Sequence, residues 1–277
     1  MKIVSTYKPA LFLRSIAILT ILTFISSCQK VIQLDLNKSD KKYVIEASVT
    51  DQPGTAELLL SQTKNFDDNN NFVGVSGAKV TVKEEGGGLT TFTETTPGHY
   101  QASNLVGSSG KTYDLNVNVG GQVFTATSEM PVKVNLDTIY TTDENLFAET
   151  RKIVNVEFHD PPGRGNNYRF IQYVNGLKEK QLFVQNDDYT DGRLNISKLY
   201  YFADDKSDST IIHSGDTVRI DMLCIDPAVY KYWYSLSQNT NGDNNQVTPA
   251  NPVTNVQGGA LGYFSAHTLQ TKMMKVP

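Results

Sequence analysis

The stretch "KTYDLNVNVGGQVFTATSEMP", from Lys111 to Pro131, constrains the fold of this 277-residue chain more than any other. Two runs alternate polar and apolar residues, the period-two pattern of half-buried strands, and Gly120 and Gly121 separate them. Two such glycines supply the positive φ angles of a primed turn, so the segment predicts a tight β-hairpin. Similar short runs precede it: "YVIEASVT", "TAELLLSQT", "AKVTVKEE", "LTTFTET" and "GHYQASN", punctuated by "DQPG", "GGG" and "TPG". About seven strands with a turn signal every eight to twelve residues are the mark of an antiparallel sandwich. The chain is therefore expected to be mainly β. Residues 42–131 should form an immunoglobulin-like antiparallel β-sandwich that ends at Pro131.

The remaining length suffices for a second domain. Residues 132–277 read as a second antiparallel β domain with one short helix near 227–239. In "DPAVYKYWYSLSQN", Asp226 stands as N-cap and Pro227 takes the first helical position, where its missing N–H costs nothing. Val229, Tyr232, Trp233 and Leu236 then share one stripe at helical spacing. In "TVRIDMLCID", Val218, Ile220, Met222 and Cys224 alternate onto one face, which makes Cys224 a core residue of a half-buried strand.

The front of the chain has a different character. Lys2, Lys8 and Arg14 form a basic region without acids, and "SIAILTILTFI" follows as an apolar run of eleven residues. A helix needs about 20 apolar residues to cross the hydrocarbon core, so residues 1–27 read as a secretory signal peptide. Its last residues, Ile25, Ser26 and Ser27, precede Cys28 in an order that resembles the bacterial lipobox. Cleavage before Cys28 would leave a diacylglycerol on its sulfur and a further acyl chain, such as palmitate, on its amine. Several chains, each stabilising by about 0.8 kcal/mol per buried CH2, make such an anchor stable. Residues 28–41 are then a tether and the approach to the first strand. Removal of residues 1–27 would leave 22 bases against 29 acids, a poor balance for binding phosphate backbones, so no nucleic-acid partner is expected.

Chemistry-bearing motifs are few. "PPGRGNN" (Pro161 to Asn167) has glycines that could cradle an anion, but no Gly-Lys-Ser/Thr ending, and it reads as a loop between strands. His99, His159, His213 and His267 lie far apart, without metal-ligand spacing. Asp67, Asn69 and Asn71 stand at alternate positions, as in the first half of a calcium loop, but the pattern lacks the sixth-position glycine and the closing glutamate. They are weak Ca2+ candidates, joined by the acidic loops at Asp187–Asp191 and Asp204–Asp208. No cofactor and no catalytic set is expected, although paired carboxylates for glycoside hydrolysis are spatial and leave no sequence mark.

Taken in order, "SSCQKVIQLDL", "YVIEASVTDQPG", "VSGAKVTV", "PGHYQ", "VEFHDPPGRGNNYRF", "DPAVYKYWYSL" and "NPVTNVQGGALGYFSAH" resemble the domain of unknown function 4249 family of Bacteroidetes lipoproteins. The resemblance implies lipidation at Cys28 and an accessory role beside a TonB-dependent receptor in nutrient uptake; it implies no catalytic residues. The expected function is that of an outer-membrane, lipid-anchored binding or accessory protein without enzymatic activity, its ligand unspecified. The alternatives are an extracytoplasmic hydrolase of glycans or peptides and a glycan-binding or adhesion module. Lys30 stands where surface-exposed relatives of this lipoprotein class often begin an acidic run, which leaves the periplasmic and cell-surface faces both open.

Overall fold

The computed structural model describes residues 41–64, 71–146, 149–201, 210–241 and 251–277. The expected signal peptide, the tether with Cys28, the candidates Asp67 and Asn69, and the 204–208 loop lie outside the described residues.

Alternating sequence becomes strand at nearly every expected place. In chain order the strands are β1 (Tyr43–Thr50), β2 (Ala56–Gln62), β3 (Lys79–Glu84), β4 (Leu89–Thr91), β5 (Thr93–Thr96), β6 (His99–Ala102), β7 (Thr112–Val119) and β8 (Gln122–Glu129). They continue with β9 (Leu136–Leu146), β10 (Glu149–His159), β11 (Asn167–Val174), β12 (Leu177–Lys178), β13 (Phe183–Asn186), β14 (Leu194–Leu199), β15 (Thr217–Cys224) and β16 (Leu261–Lys275). Helix α1 (Pro227–Asn241) stands between the last two. The β7–β8 hairpin turns on Gly120 and Gly121, at φ of 57° and 77°, as its sequence requires. "LTTFTET" breaks at Phe92 instead of forming one strand. Phe92 is buried, and the two halves serve different sheets, β4 beside β3 and β5 beside β6.

One long sheet runs β12-β11-β15-β16-β1-β2-β6-β5, with β13 also paired to β11. A four-stranded sheet, β4-β3-β7-β8, accompanies its β1–β6 half, and their buried side chains, among them Ile45, Leu58, Val80, Leu115 and Phe124, form one apolar cluster. A three-stranded sheet, β14-β10-β9, accompanies its β11–β15 half, where Val156, Phe158, Phe170, Ile220 and Met222 belong to a second cluster. The chain is thus mainly β, built from antiparallel sheets in a sandwich-like arrangement.

Strand β16 joins the two halves. Its Leu261–His267 segment pairs with Val44–Thr50 of β1, and Thr268–Lys275 pairs with Cys224–Thr217 of β15. The β1 pairing is parallel, a departure from the purely antiparallel sandwich expected. The long sheet also crosses the expected boundary at residue 131 without a break, and Asp40–Pro277 forms one compact unit. Each half keeps its own apolar cluster, but the halves share a ladder of backbone hydrogen bonds.

Helix α1 supplies a third layer. The Asp226 Oδ1 accepts the Ala228 and Val229 N–H groups at 2.7 and 2.9 Å, satisfying donors that the helix cannot satisfy internally. The other carboxylate oxygen accepts from the Ser128 hydroxyl, whose oxygen accepts the Ala266 N–H at 2.8 Å. One side chain therefore ties α1 to β8 and β16. The stripe of Val229, Tyr232 and Trp233 packs with Leu223 and Ile225, with Ile171 and Leu269 beside them. Burial of each such apolar side chain is worth about 2 kcal/mol. β15 is buried on both faces, not on one: Leu223 lies under this cover and Asp221 beside it is also largely buried, as well as Val218, Ile220, Met222 and Cys224.

Candidate functional site

Strand alternation sends one set of side chains from the long sheet into the two apolar clusters and the other set to the opposite face. On that opposite face, beside α1, lies a cleft of about 450 Å3. Glu46 of β1, Arg169 and Tyr173 of β11, Lys178 of β12, Asp221 of β15, Tyr263 and His267 of β16 and Trp233 of α1 line it. Glu46 and Lys178 stand four ladder steps apart, about 19 Å in a flat sheet at about 4.8 Å per step. Yet the Lys178 charge acts on Glu46 and the Glu46 charge acts on Lys178. Both side chains reach from their strands into this one cleft.

Arg169 lies at the centre of this arrangement. It is only 7% exposed, and its guanidinium carbon sits 3.3 Å from the centroid of the Trp233 ring. A guanidinium over indole in a desolvated place is worth about 2 kcal/mol. The Tyr263 hydroxyl is its hydrogen-bond partner, and Tyr232, Trp233 and Tyr263 form a ring cluster with centroids 4.9 to 5.3 Å apart. Burial lowers the Arg169 pKa and pushes Tyr263 up to about 12. Among the described residues Arg169 forms no ion pair. A buried charge without a counter-ion is costly, and the stacked rings offset only part of that cost.

The other charges divide into paired and unpaired. Arg219 lies 3.7 Å over the Tyr173 ring and pairs with Asp221 at 3.3 Å, while Asp221 also accepts from the Thr271 hydroxyl at 2.7 Å. Glu46 is half-buried; burial raises its pKa, and Lys178 and Arg169 pull the other way. Lys178 stands on the exposed rim, where partial desolvation and then the Arg169 charge lower its pKa. Neither Glu46 nor Lys178 forms an ion pair among the described residues.

His267 is 7% exposed, and its Nδ1 lies 2.9 Å from the Ser265 hydroxyl. Burial first, then the Arg169 charge, depress its pKa to about 4. That makes it a weak base near neutrality, and Ser265, 2% exposed, is closed off from solvent. The pair is poorly set for nucleophilic chemistry.

The remaining histidines sit elsewhere: His99 on β6 against Phe72, His159 at the end of β10 beside Asp137, and His213 ahead of β15 beside Asp216. Asn71 precedes β3, and its carbonyl accepts from Lys64. The glycine N–H groups of "PPGRGNN" do not face an open anion site. Gly163 donates to Asp191 at 2.7 Å, and Gly165 and Asn166 donate to the two Asp187 oxygens at 2.9 and 3.0 Å. With Asp160, these aspartates bring carboxylate oxygens within 4.8 Å of one another, a set that could hold a cation. Both oxygens of Asp187 and of Asp160 are already engaged, those of Asp160 by the Tyr168 hydroxyl and by Gly192 N–H at 3.0 Å, while Asp191 accepts the Gly163 N–H at its Oδ1. Sequence reasoning found the 187–191 loop but missed Asp160, whose place is set by the fold.

It also missed Arg169. The visible signal was a lone arginine inside the apolar run "YRFIQYVNG", a position where a charge has to find a partner across the fold.

A model of the family described as "Domain of unknown function (DUF4249)" matches residues 29–273. The chain belongs to the DUF4249 family. The match spans both halves of the structure and every wall of the cleft, so the cleft lies within the region that defines the family. No curated protein matches the chain significantly.

Proposed function

We propose that this protein is an extracytoplasmic lipoprotein, held at the outer membrane through lipid on Cys28. In this reading it catalyses no reaction and presents its cleft as a binding site in the service of a TonB-dependent transporter. The cleft carries the binding part of the reading: buried and rim charges of both signs face one space with aromatic walls, and its histidine, His267, is a weak base near neutrality. The lipobox-like order Ile25, Ser26, Ser27, Cys28 supports the anchor.

Two measurements test the reading. The Cys28→Ala protein is expected to lose palmitate labelling and leave the membrane fraction while keeping its fold; retained labelling overturns the anchor. Crosslinking in intact cells is expected to trap a TonB-dependent transporter on the wild-type protein, and a transporter-free result overturns the partnership. Protease shaving of the same cells decides between the periplasmic and cell-surface faces.

A further inference from the structure

Three charges in the cleft sense one another without touching. The Arg169 charge lowers the proton affinity of Lys178, and Glu46 feels both cations; all three side chains line the same cleft. If these groups existed only to stabilise the fold, Glu46 would close onto one of the cations, because contact lowers the energy of partly desolvated opposite charges. Instead no ion pair joins them among the described residues, and all three line one open space. To meet Glu46, Arg169 would have to give up its stacking on Trp233 and its hydrogen bond to Tyr263. A guanidinium stacked on indole has its five N–H donors around its rim, and with one engaged by Tyr263 there are others to offer a planar anion.

The sign pattern selects among anions. A phosphate or sulfate would suit the two cations but would bring two negative charges against Glu46 and the nearby Asp221. A molecule carrying one carboxylate and one ammonium satisfies both sets. The rings of Tyr173, Tyr263 and Trp233 add apolar walls that a side chain can cover.

We propose that the cleft binds a small zwitterion of the amino-acid type, its carboxylate on the Arg169 edge beside Lys178 and its ammonium toward Glu46. This rests on the reading of the cleft as a ligand site and names the class of ligand. A free amino acid and a short peptide present the same two termini at different separations, so the test includes both.

Trp233 is the only tryptophan in the chain, and it reports on Arg169 directly. The detergent-solubilised full-length protein would be titrated with free L-alanine, with tri-alanine, and with tri-alanine blocked as its C-terminal amide or its N-acetyl derivative, following Trp233 emission. A saturable change is expected with L-alanine or tri-alanine below about 10 mM, and whichever binds identifies the source. Each blocked form is expected to bind at least about tenfold more weakly than tri-alanine, the loss typical of one charge-assisted contact. Lys178→Gln, on the exposed rim, should weaken the free forms about tenfold without altering the melting temperature. Glu46→Gln should erase the preference for a free ammonium. Equal binding of blocked and free forms overturns the proposal, as does the lack of a saturable change with either free form. Because the titration uses purified protein, it can fail while transporter capture succeeds, or succeed while capture fails, and the two readings are judged separately.

Discussion

Burial makes His267 a sensor of acid stress on the fold. Its pKa falls from 6.5 to about 4 in the folded chain, with desolvation the largest cause, the Arg169 charge acting in the same sense, and Ser265 and Asp51 opposing. Between those two pH values the unfolded chain binds a proton that the native chain refuses, so stability is full above about pH 6.5 and declines as pH falls toward about 4. The loss is at most about 3 kcal/mol over that window. Glu46 has the opposite sign, because its raised pKa means that protonation favours the native form. Comparing the wild type with His267→Gln at unchanged Glu46 isolates the histidine. Urea unfolding at pH 7 and pH 4.5 is expected to show a smaller acid loss for the variant. An equal loss in both proteins would mean that His267 titrates normally.

Elements whose determinants are local stand where their residues place them. β1 begins and ends at the bounds of "YVIEASVT", the β7–β8 turn uses both glycines, and α1 starts at Pro227 behind its Asp226 cap. Pairing was not legible in the same way. Nothing in "YFSAHTLQ" announces that β16 joins β1 in parallel from more than two hundred residues away, because a period-two pattern states which side chains share a face and not which strand lies alongside. The cleft was illegible for the same reason: it needs β1, β11, β12, β15, β16 and α1 together. Only one residue marks the close pairing. Gly262 has φ of 96°, and a Cβ there would lie 2.0 Å from the Ile45 carbonyl oxygen, which is backbone and cannot step aside. Gly262→Ala is therefore expected to cost at least about 3 kcal/mol, combining backbone strain with a broken β1–β16 contact, and to lower the melting temperature sharply. A melting temperature within a degree or two of wild type would show that the parallel pairing tolerates a wider gap.

At the scale of the whole molecule, the shared strand decides whether the two halves can exist apart. Composition and turn spacing suggest a domain ending at Pro131, and most of the first apolar cluster does come from residues before it. The rest comes from Val256, Ala260, Phe264 and Ala266, the last two on β16 against β1. A fragment of residues 42–131 would leave β1 with an open edge and an apolar face missing four buried contributors, an arrangement that favours aggregation over folding. The second half would keep β11 and β15 beside β16, but the Leu261–His267 segment of β16 would lose β1 and be left with an open edge. The full chain is accordingly expected to unfold in one transition. Far-UV circular dichroism, which follows all strands, and Trp233 fluorescence, which follows the α1 side, should give the same urea midpoint, and the 42–131 fragment should lack a cooperative transition. Two separated midpoints, or a fragment that melts cooperatively, would show that each apolar cluster is sufficient for its own half and that β16 is a fastening added to two independent domains.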